Sequence, residues 1–147
     1  MSRKEVREEA SMLPTANRFL GHPHMFSDVV RNGYRFGRKM GIPTINMEFA
    51  DGILVPARGV YSAKAYLPSG ETYLAVTNVG VRPTMGGVEK ISVESHLLDF
   101  SGDLYGQKVR VALFKYLRPE EKFENTDVLK EKILKDIADT RAFFEQK

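Results

Sequence analysis

Between Asn32 and Asn46 the chain reads N-G-Y-R-F-G-R-K-M-G-I-P-T-I-N, the stretch richest in chemical possibility. Gly33, Gly37 and Gly41 stand four residues apart, mixed with Arg35, Arg38 and Lys39. Glycine lets backbone N–H groups approach an anion closely, and the cations balance its charge, so the pattern suits a few phosphates. The same residues would also serve a long connecting loop with ordinary turn glycines. The stretch is neither a P-loop nor a dinucleotide fingerprint, because neither spacing of glycines occurs. Downstream, Thr44 and Asn46 are oxygen donors two residues apart, which an extended backbone projects to one side. Mg²⁺ accepts such oxygens when phosphates and waters complete its octahedron. The competing reading is two side chains satisfying turn hydrogen bonds.

Glu94 is the one carboxylate in the otherwise apolar or neutral run Ile91 to Leu98. Facing solvent it needs no explanation. Facing a cleft, it is ionised at neutral pH and can accept a proton from a substrate hydroxyl. His96 falls on the same strand face, as partner or spectator. His22 and His24 flank Pro23 without a matching carboxylate or cysteine cluster, a poor basis for zinc. Asn78 to Thr84 reads as a strand-exit loop, and Arg118 as a phosphate clamp or a solvated linker charge.

The elements that must hold these groups show two periods. Gly59 to Leu67 alternates, with Tyr61, Ala63, Ala65 and Leu67 on one face, and Glu71 to Val79 follows the turn Pro68-Ser69-Gly70 as its hairpin partner. Ile91 to Phe100 places Ile91, Val93, Ser95 and Leu97 opposite Ser92, Glu94, His96 and Leu98. Lys108 to Leu117 sets Val109, Val111 and Leu113 on one side, after a turn at Gly102-Asp103 and Gly106. From Asn125 to about Phe144, Leu129, Ile133 and Ile137 recur at helical spacing, widened by Leu134, Ala138 and Phe144. Asn125 or Thr126 caps this helix, and Glu131 and Lys135 form an i, i+4 pair. Short strands with tight turns and one terminal helix predict a mainly β fold, a small antiparallel barrel or sandwich with the helix outside.

Composition narrows the classes. A chain of 147 residues, 42% hydrophobic, is one domain's worth, able to bury about 70% of its unfolded surface. With no cysteine there are no disulfides, thiolate metal sites or cysteine nucleophiles. No apolar run reaches the length of a membrane span, the N-terminus is charged where a signal peptide is apolar, and no N-x-[ST] sequon occurs. The expectation is a cytoplasmic protein without a membrane partner. Twenty-two basic and nineteen acidic residues are interspersed, for a net charge of +3, unlike the basic stripe of a nucleic-acid binder. Residues 1–15 read as a charged tail or linker, and 16–147 as the domain.

In order, G-x-x-x-G-R-x-x-G-x-P-T-x-N, G-V-Y, N-V-G-x-R-P-T, V-E-S-H-L-L-D-F, D-L-Y-G and L-R-P-E-x-K-F before a helix form a set. From Ala16 to Arg141 it resembles riboflavin kinase, in the form found as the C-terminal module of bacterial bifunctional riboflavin kinase/FAD synthetases. The resemblance implies a six-stranded antiparallel Greek-key β-barrel with a C-terminal α-helix packed outside. It implies transfer of the γ-phosphoryl group of ATP to the ribityl 5′-hydroxyl of riboflavin, giving FMN and ADP. By the same resemblance Thr44 and Asn46 hold Mg²⁺, and Glu94 is the catalytic base. Gly33, Gly37, Arg38, Gly41 and Pro43 lie on ATP, with Leu104 and Gly106 of D-L-Y-G bordering the adenine. Ile42, Arg118, Glu120 and Phe123 lie against the flavin, whose ring needs an apolar slot for which Ile42, the Pro43 ring and the helix face around Leu129 and Ile133 are the candidates.

Two positions depart from the family pattern. Ile45 replaces the usual alanine between Thr44 and Asn46, and on the opposite strand face it spares the metal ligands. Ile42 stands where phenylalanine is frequent, which bears on flavin affinity rather than on chemistry. The nucleotidyltransferase module of the bacterial enzymes is not in this sequence, so the expected product is FMN and not FAD, with membership of a longer bifunctional chain left open. Two rival readings are a flavin- or nucleotide-binding barrel without catalysis, and a barrel for single-stranded nucleic acid. The second would require aromatics along a basic groove, of which Tyr34 and Phe36 are a weak version.

Overall fold

The structure, a computed structural model, describes residues 24–31, 42–48, 56–83, 86 and 89–145. The segment 1–15 and the glycine loop from Gly33 to Gly41 fall outside the described residues. Six strands are followed by one helix: β1 (His24–Val29), β2 (Ile45–Glu48), β3 (Gly59–Tyr66), β4 (Thr72–Pro83), β5 (Glu89–Leu97), β6 (Lys108–Arg118) and α1 (Thr126–Glu145). The strands form one sheet in the order β1-β6-β3-β4-β5-β2, every described pairing antiparallel. The two edges meet where Arg31, just past β1, bridges to Asn46 of β2, and the Arg31 N–H donates to the Asn46 carbonyl at 2.8 Å. The result is a nearly closed barrel, which removes the open edges a flat sheet would expose.

Period-two alternation builds the core. Tyr61, Ala63, Ala65, Ala75, Val79, Val93, Val109, Val111 and Leu113 are fully buried inside. Tyr61 fills the centre, its hydroxyl donating to the Ala57 carbonyl at 2.5 Å and its ring edge-on to Tyr116. Burial pushes the Tyr61 phenol well above the usual tyrosine range, so it stays a neutral donor. Thr77 and Ser95, buried on facing strands, share a hydrogen bond of 2.8 Å that satisfies both hydroxyls. Register shifts between β3 and β6 at Val60/Tyr61 and Ser62/Ala63 supply the extra twist that closing a sheet requires.

The helix packs outside β3 and β4, over a small cluster of Val60, Val76 and Leu98 with Ile137. Asn125 caps it, accepting the Val128 N–H at 2.9 Å. Its barrel-facing side differs from the expected stripe. Leu134 is 50% exposed and Ala138 is exposed, whereas Asp136 and Thr140 are buried. Thr140 shares a 2.8 Å hydrogen bond with Ser62, and Asp136 takes the Arg118 guanidinium. The exposed face pairs Lys135 with Asp139 at 2.7 Å rather than with Glu131.

β4 also runs further than expected. Asn78 to Pro83, read as an exit loop, continues the strand and pairs with β5 from Asn78↔Glu94 to Pro83↔Glu89. The glycine and proline in this stretch signal a turn locally, but the β5 ladder overrides them.

Candidate active site

Three cross-strand partners set the site. Asn46 of β2 lies opposite Glu94 of β5, which lies opposite Asn78 of β4. Directly opposed residues share a sheet face. Val93 and Ser95 point into the barrel, so this row of Asn46, Glu94 and Asn78 points out of it. The same parity turns Ile45 inward, where it packs on the core and leaves Thr44 and Asn46 together, as expected from the sequence.

Thr44 lines two cavities, the first reaching the inward-facing Ile45, Ser95 and Leu97, the second on the outer face with Glu94 and Asn78. The first, about 340 Å³, is walled by Arg31, Pro43, Asn46, Asp103, Leu104 and Tyr105 among others. Asp103 accepts the Tyr105 N–H at 2.9 Å, an Asx turn that presents the Tyr105 ring, 57% exposed, at the rim. Arg31 is held by Asp28 at 3.1 Å. Burial by itself would raise the Asp28 carboxyl, but hydrogen bonds from Arg31 and the Glu48 N–H outweigh it and hold the group below the usual carboxylate range. Gly106 is a turn residue, φ 81°, whose N–H donates to the Val30 carbonyl, and it does not line this cavity.

The second cavity, about 200 Å³, gathers Glu94 with Ile42, Glu120, Phe123, Leu129 and Ile133. These expected residues come from β5, α1 and the connections before β2 and after β6. Its apolar wall is a slot of the kind a flat ring system fills. Arg118 also lines it, with its guanidinium already engaged by Asp136 through Nε at 3.1 and 3.2 Å and Nη2 at 2.8 Å, and stacked 5.6 Å from the Phe123 ring. The cation thus anchors the wall to the helix. Glu120 accepts from Arg58 at 3.0 Å and from the Asn78 amide at 3.4 Å. His96, beside Glu94, bonds the Pro43 carbonyl through Nδ1 at 2.7 Å.

Tyr105, in the turn expected to border the adenine, lines the first cavity, while Asn78, expected in an exit loop that turns the chain or contacts an anion, and Asp136, not expected at all, line the second. Asn78 was legible only once its place within β4 was known, and Asp136 was masked by its position on an apolar helix stripe. Among the described residues no cluster of three His, Cys, Asp or Glu side chains could hold a metal. The donors that Thr44 and Asn46 offer are a hydroxyl and a carboxamide oxygen on one cavity wall. That pair fits a hard cation whose other ligands are phosphates and waters.

A sequence model described as Flavokinase: Riboflavin kinase matches residues 20–144. The chain belongs to the riboflavin kinase family. Enzymes of this family phosphorylate riboflavin, and the family agrees with the ordered motifs and with the barrel. The bifunctional riboflavin kinase/FMN adenylyltransferase of Listeria monocytogenes is 36% identical over 132 residues, which is 90% of this chain and 42% of that protein. The Escherichia coli K12 protein of the same name is 40% identical over 133 residues, with the same two coverages. The chain therefore spans about two fifths of the length of these relatives. Among solved structures, one titled a macrolide-efflux protein from Streptococcus pneumoniae aligns over 95% of this chain and 46% of its own, at TM-score 0.85 and 30% identity. The riboflavin kinase of Trypanosoma brucei shares the fold at TM-score 0.61 and 21% identity, over 82% of this chain and 79% of its own. No described helix is long and apolar enough to cross a membrane.

Proposed function

We propose that this chain transfers the γ-phosphoryl group of ATP to the ribityl 5′-hydroxyl of riboflavin, releasing FMN and ADP. The observation that carries the reading is the juxtaposition of Asn46 and Glu94 as cross-strand partners, with Thr44 on the wall common to both cavities. Nucleotide in the first cavity and flavin in the second would meet there. Leu104 and Tyr105 would border the base, and Gly33 to Gly41 would lie over the phosphates. Ile42, Phe123, Leu129 and Ile133 would hold the ring, with Glu120 at the ribityl side.

Phosphoryl transfer is mainly positioning and charge stabilisation. Thr44 and Asn46 would hold Mg²⁺, which when bound neutralises charge on the phosphates. Glu94 orients the 5′-hydroxyl and takes its proton as the oxygen forms its bond to Pγ. The bond from Pγ to the bridging oxygen breaks, ADP leaves, and Glu94 returns the proton to solvent. The ATP requirement fits a cytoplasmic enzyme. The same reaction would run whether or not the chain works beside an FMN adenylyltransferase module.

The protein incubated with riboflavin, ATP and Mg²⁺ is expected to give FMN and ADP in equal amounts. Glu94→Gln keeps the shape and loses the base, so turnover is expected to fall by about 10²- to 10⁴-fold with an unchanged melting temperature. Normal turnover in that variant would remove Glu94 from its role. Quenching of flavin fluorescence without ADP release in the unmodified protein would favour a binding module instead.

A further inference from the structure

The β2–β5 ladder runs from Glu48↔Ser92 to Ile45↔Ser95 and stops there. Thr44 lies one residue past its end, with Pro43 and Ile42 before it. A proline has no N–H to donate, so the backbone cannot extend the ladder through Pro43 as a donor. The structure replaces the missing backbone tie with a side chain. His96, the next residue of β5, reaches the Pro43 carbonyl through Nδ1 at 2.7 Å. A carbonyl oxygen only accepts, so Nδ1 carries the hydrogen. The bond is short, and it ends on the peptide unit that leads directly into Thr44.

We infer that His96 is a positioning residue that holds Thr44 beside Asn46, and both against the strand carrying Glu94, by donating Nδ1–H to the Pro43 carbonyl. The inference rests on the reading of Thr44 and Asn46 as the metal pair. Asn46 needs no such help, because it is fixed on both sides, by the β5 ladder and by the bridge to Arg31. Among the described residues, the His96 bond is the one hydrogen bond between residues 42–44 and β5. Release of that tie frees one of two donors, so metal–nucleotide affinity falls while the strand pairing stays.

The test measures binding, with Mn²⁺ as a paramagnetic probe for Mg²⁺ and ADP as the nucleotide, in the 147-residue protein. Thr44→Val with Asn46→Leu serves as the control for the site. His96→Phe keeps a ring of similar size without a donor. His96→Asn keeps an N–H where Nδ1 stood, and His96→Gln moves it to the position of Nε2. The expected result is Mn²⁺–ADP affinity weakened about fivefold in His96→Phe, the effect of losing one ordinary hydrogen bond, and restored to within about twofold in His96→Asn. Phenylalanine binding like the unmodified protein overturns the inference, as does asparagine binding as weakly as phenylalanine. Should the phenylalanine variant melt below the assay temperature, His96→Gln takes its place, with the same weakening expected and wild-type affinity again overturning the idea. If the Thr44/Asn46 control binds Mn²⁺–ADP like the unmodified protein, the metal-pair reading itself has failed, an outcome distinct from a failure of His96 alone.

Discussion

A methyl group at position 80 would stand 2.1 Å from Glu120 Oε1. Gly80 thus leaves the space in which the Glu120 carboxylate reaches Asn78, in the row that holds Glu94. The obstructing atom is the far end of an exposed side chain, which can swing away cheaply. Gly80→Ala is therefore expected to leave stability within about 1 kcal/mol, since surface adjustments of this kind are small. Riboflavin affinity, read by fluorescence quenching, is expected to fall about three- to tenfold as Glu120 leaves its place. Unchanged affinity would mean that Glu120 contributes nothing to the flavin site. Gly59 is the opposite case. Its φ of 153° is one that side chains rarely adopt, and a Cβ there would meet the Arg118 carbonyl and the Tyr116 ring, each at 2.7 Å. Neither neighbour can yield, because one is backbone and the other packs on Tyr61. Gly59→Ala is expected to cost about 2–4 kcal/mol in denaturant unfolding, strain and overpacking together.

The helix α1 is fixed to the barrel by polar bonds as much as by apolar contact. Leu129, Ile133, Ile137 and Phe144 form the apolar part of its inner stripe, and Asp136 and Thr140 complete it at the same helical spacing. Arg118 and Asp136 are both largely buried, with side chains 13% and 5% exposed. Removing Asp136 leaves the buried Arg118 charge only a 3.7 Å contact with Glu121, so Asp136→Ala is expected to destabilise by about 3 kcal/mol. The pair exchanged for apolar residues, Arg118→Met with Asp136→Leu, should recover most of that loss in the same unfolding measurement. Recovery matters for function too, because Arg118 and Asp136 wall the proposed flavin cavity. If the double variant is as unstable as the single, the pair does more than hold the helix.

Closure of the barrel depends on the narrow seam between β1 and β2. Besides the Arg31–Asn46 bridge, the Glu48 N–H donates to Asp28 at 3.0 Å, and Asp28 also holds Arg31. The Asp28 carboxyl lies below the ordinary aspartate value in the folded protein. A lowered folded value means that its ionised form adds stability above the unfolded value, about pH 4, and that this is lost as pH falls through the folded one. Asp28→Asn is therefore expected to be less stable than the unmodified protein at neutral pH, with the gap narrowing below about pH 4. Urea unfolding at a series of pH values checks this. A gap of constant width into the acid range would show that the charge at the seam is not what stabilises it.

Alternation at Tyr61–Leu67, Ile91–Leu97 and Val109–Leu113 was enough to identify barrel strands and their inner faces, because one buried face imposes period two on the residues themselves. The terminal helix and its Asn125 cap were legible from helical spacing and capping chemistry, Thr44, Asn46 and Glu94 stood out as candidates by residue type, and the motif order carried the family. Pairing partners are another matter. The opposition of Asn46 to Glu94 and of Glu94 to Asn78 is a register between segments distant in the chain, and no periodicity within one segment encodes it. Nor could spacing reveal that β4 runs through Gly80, that Asp136 and Thr140 face inward while Leu134 faces water, or that Arg118 is already occupied by Asp136. Those outcomes depend on which neighbour arrives to satisfy a buried donor or charge, a choice made only when the elements pack.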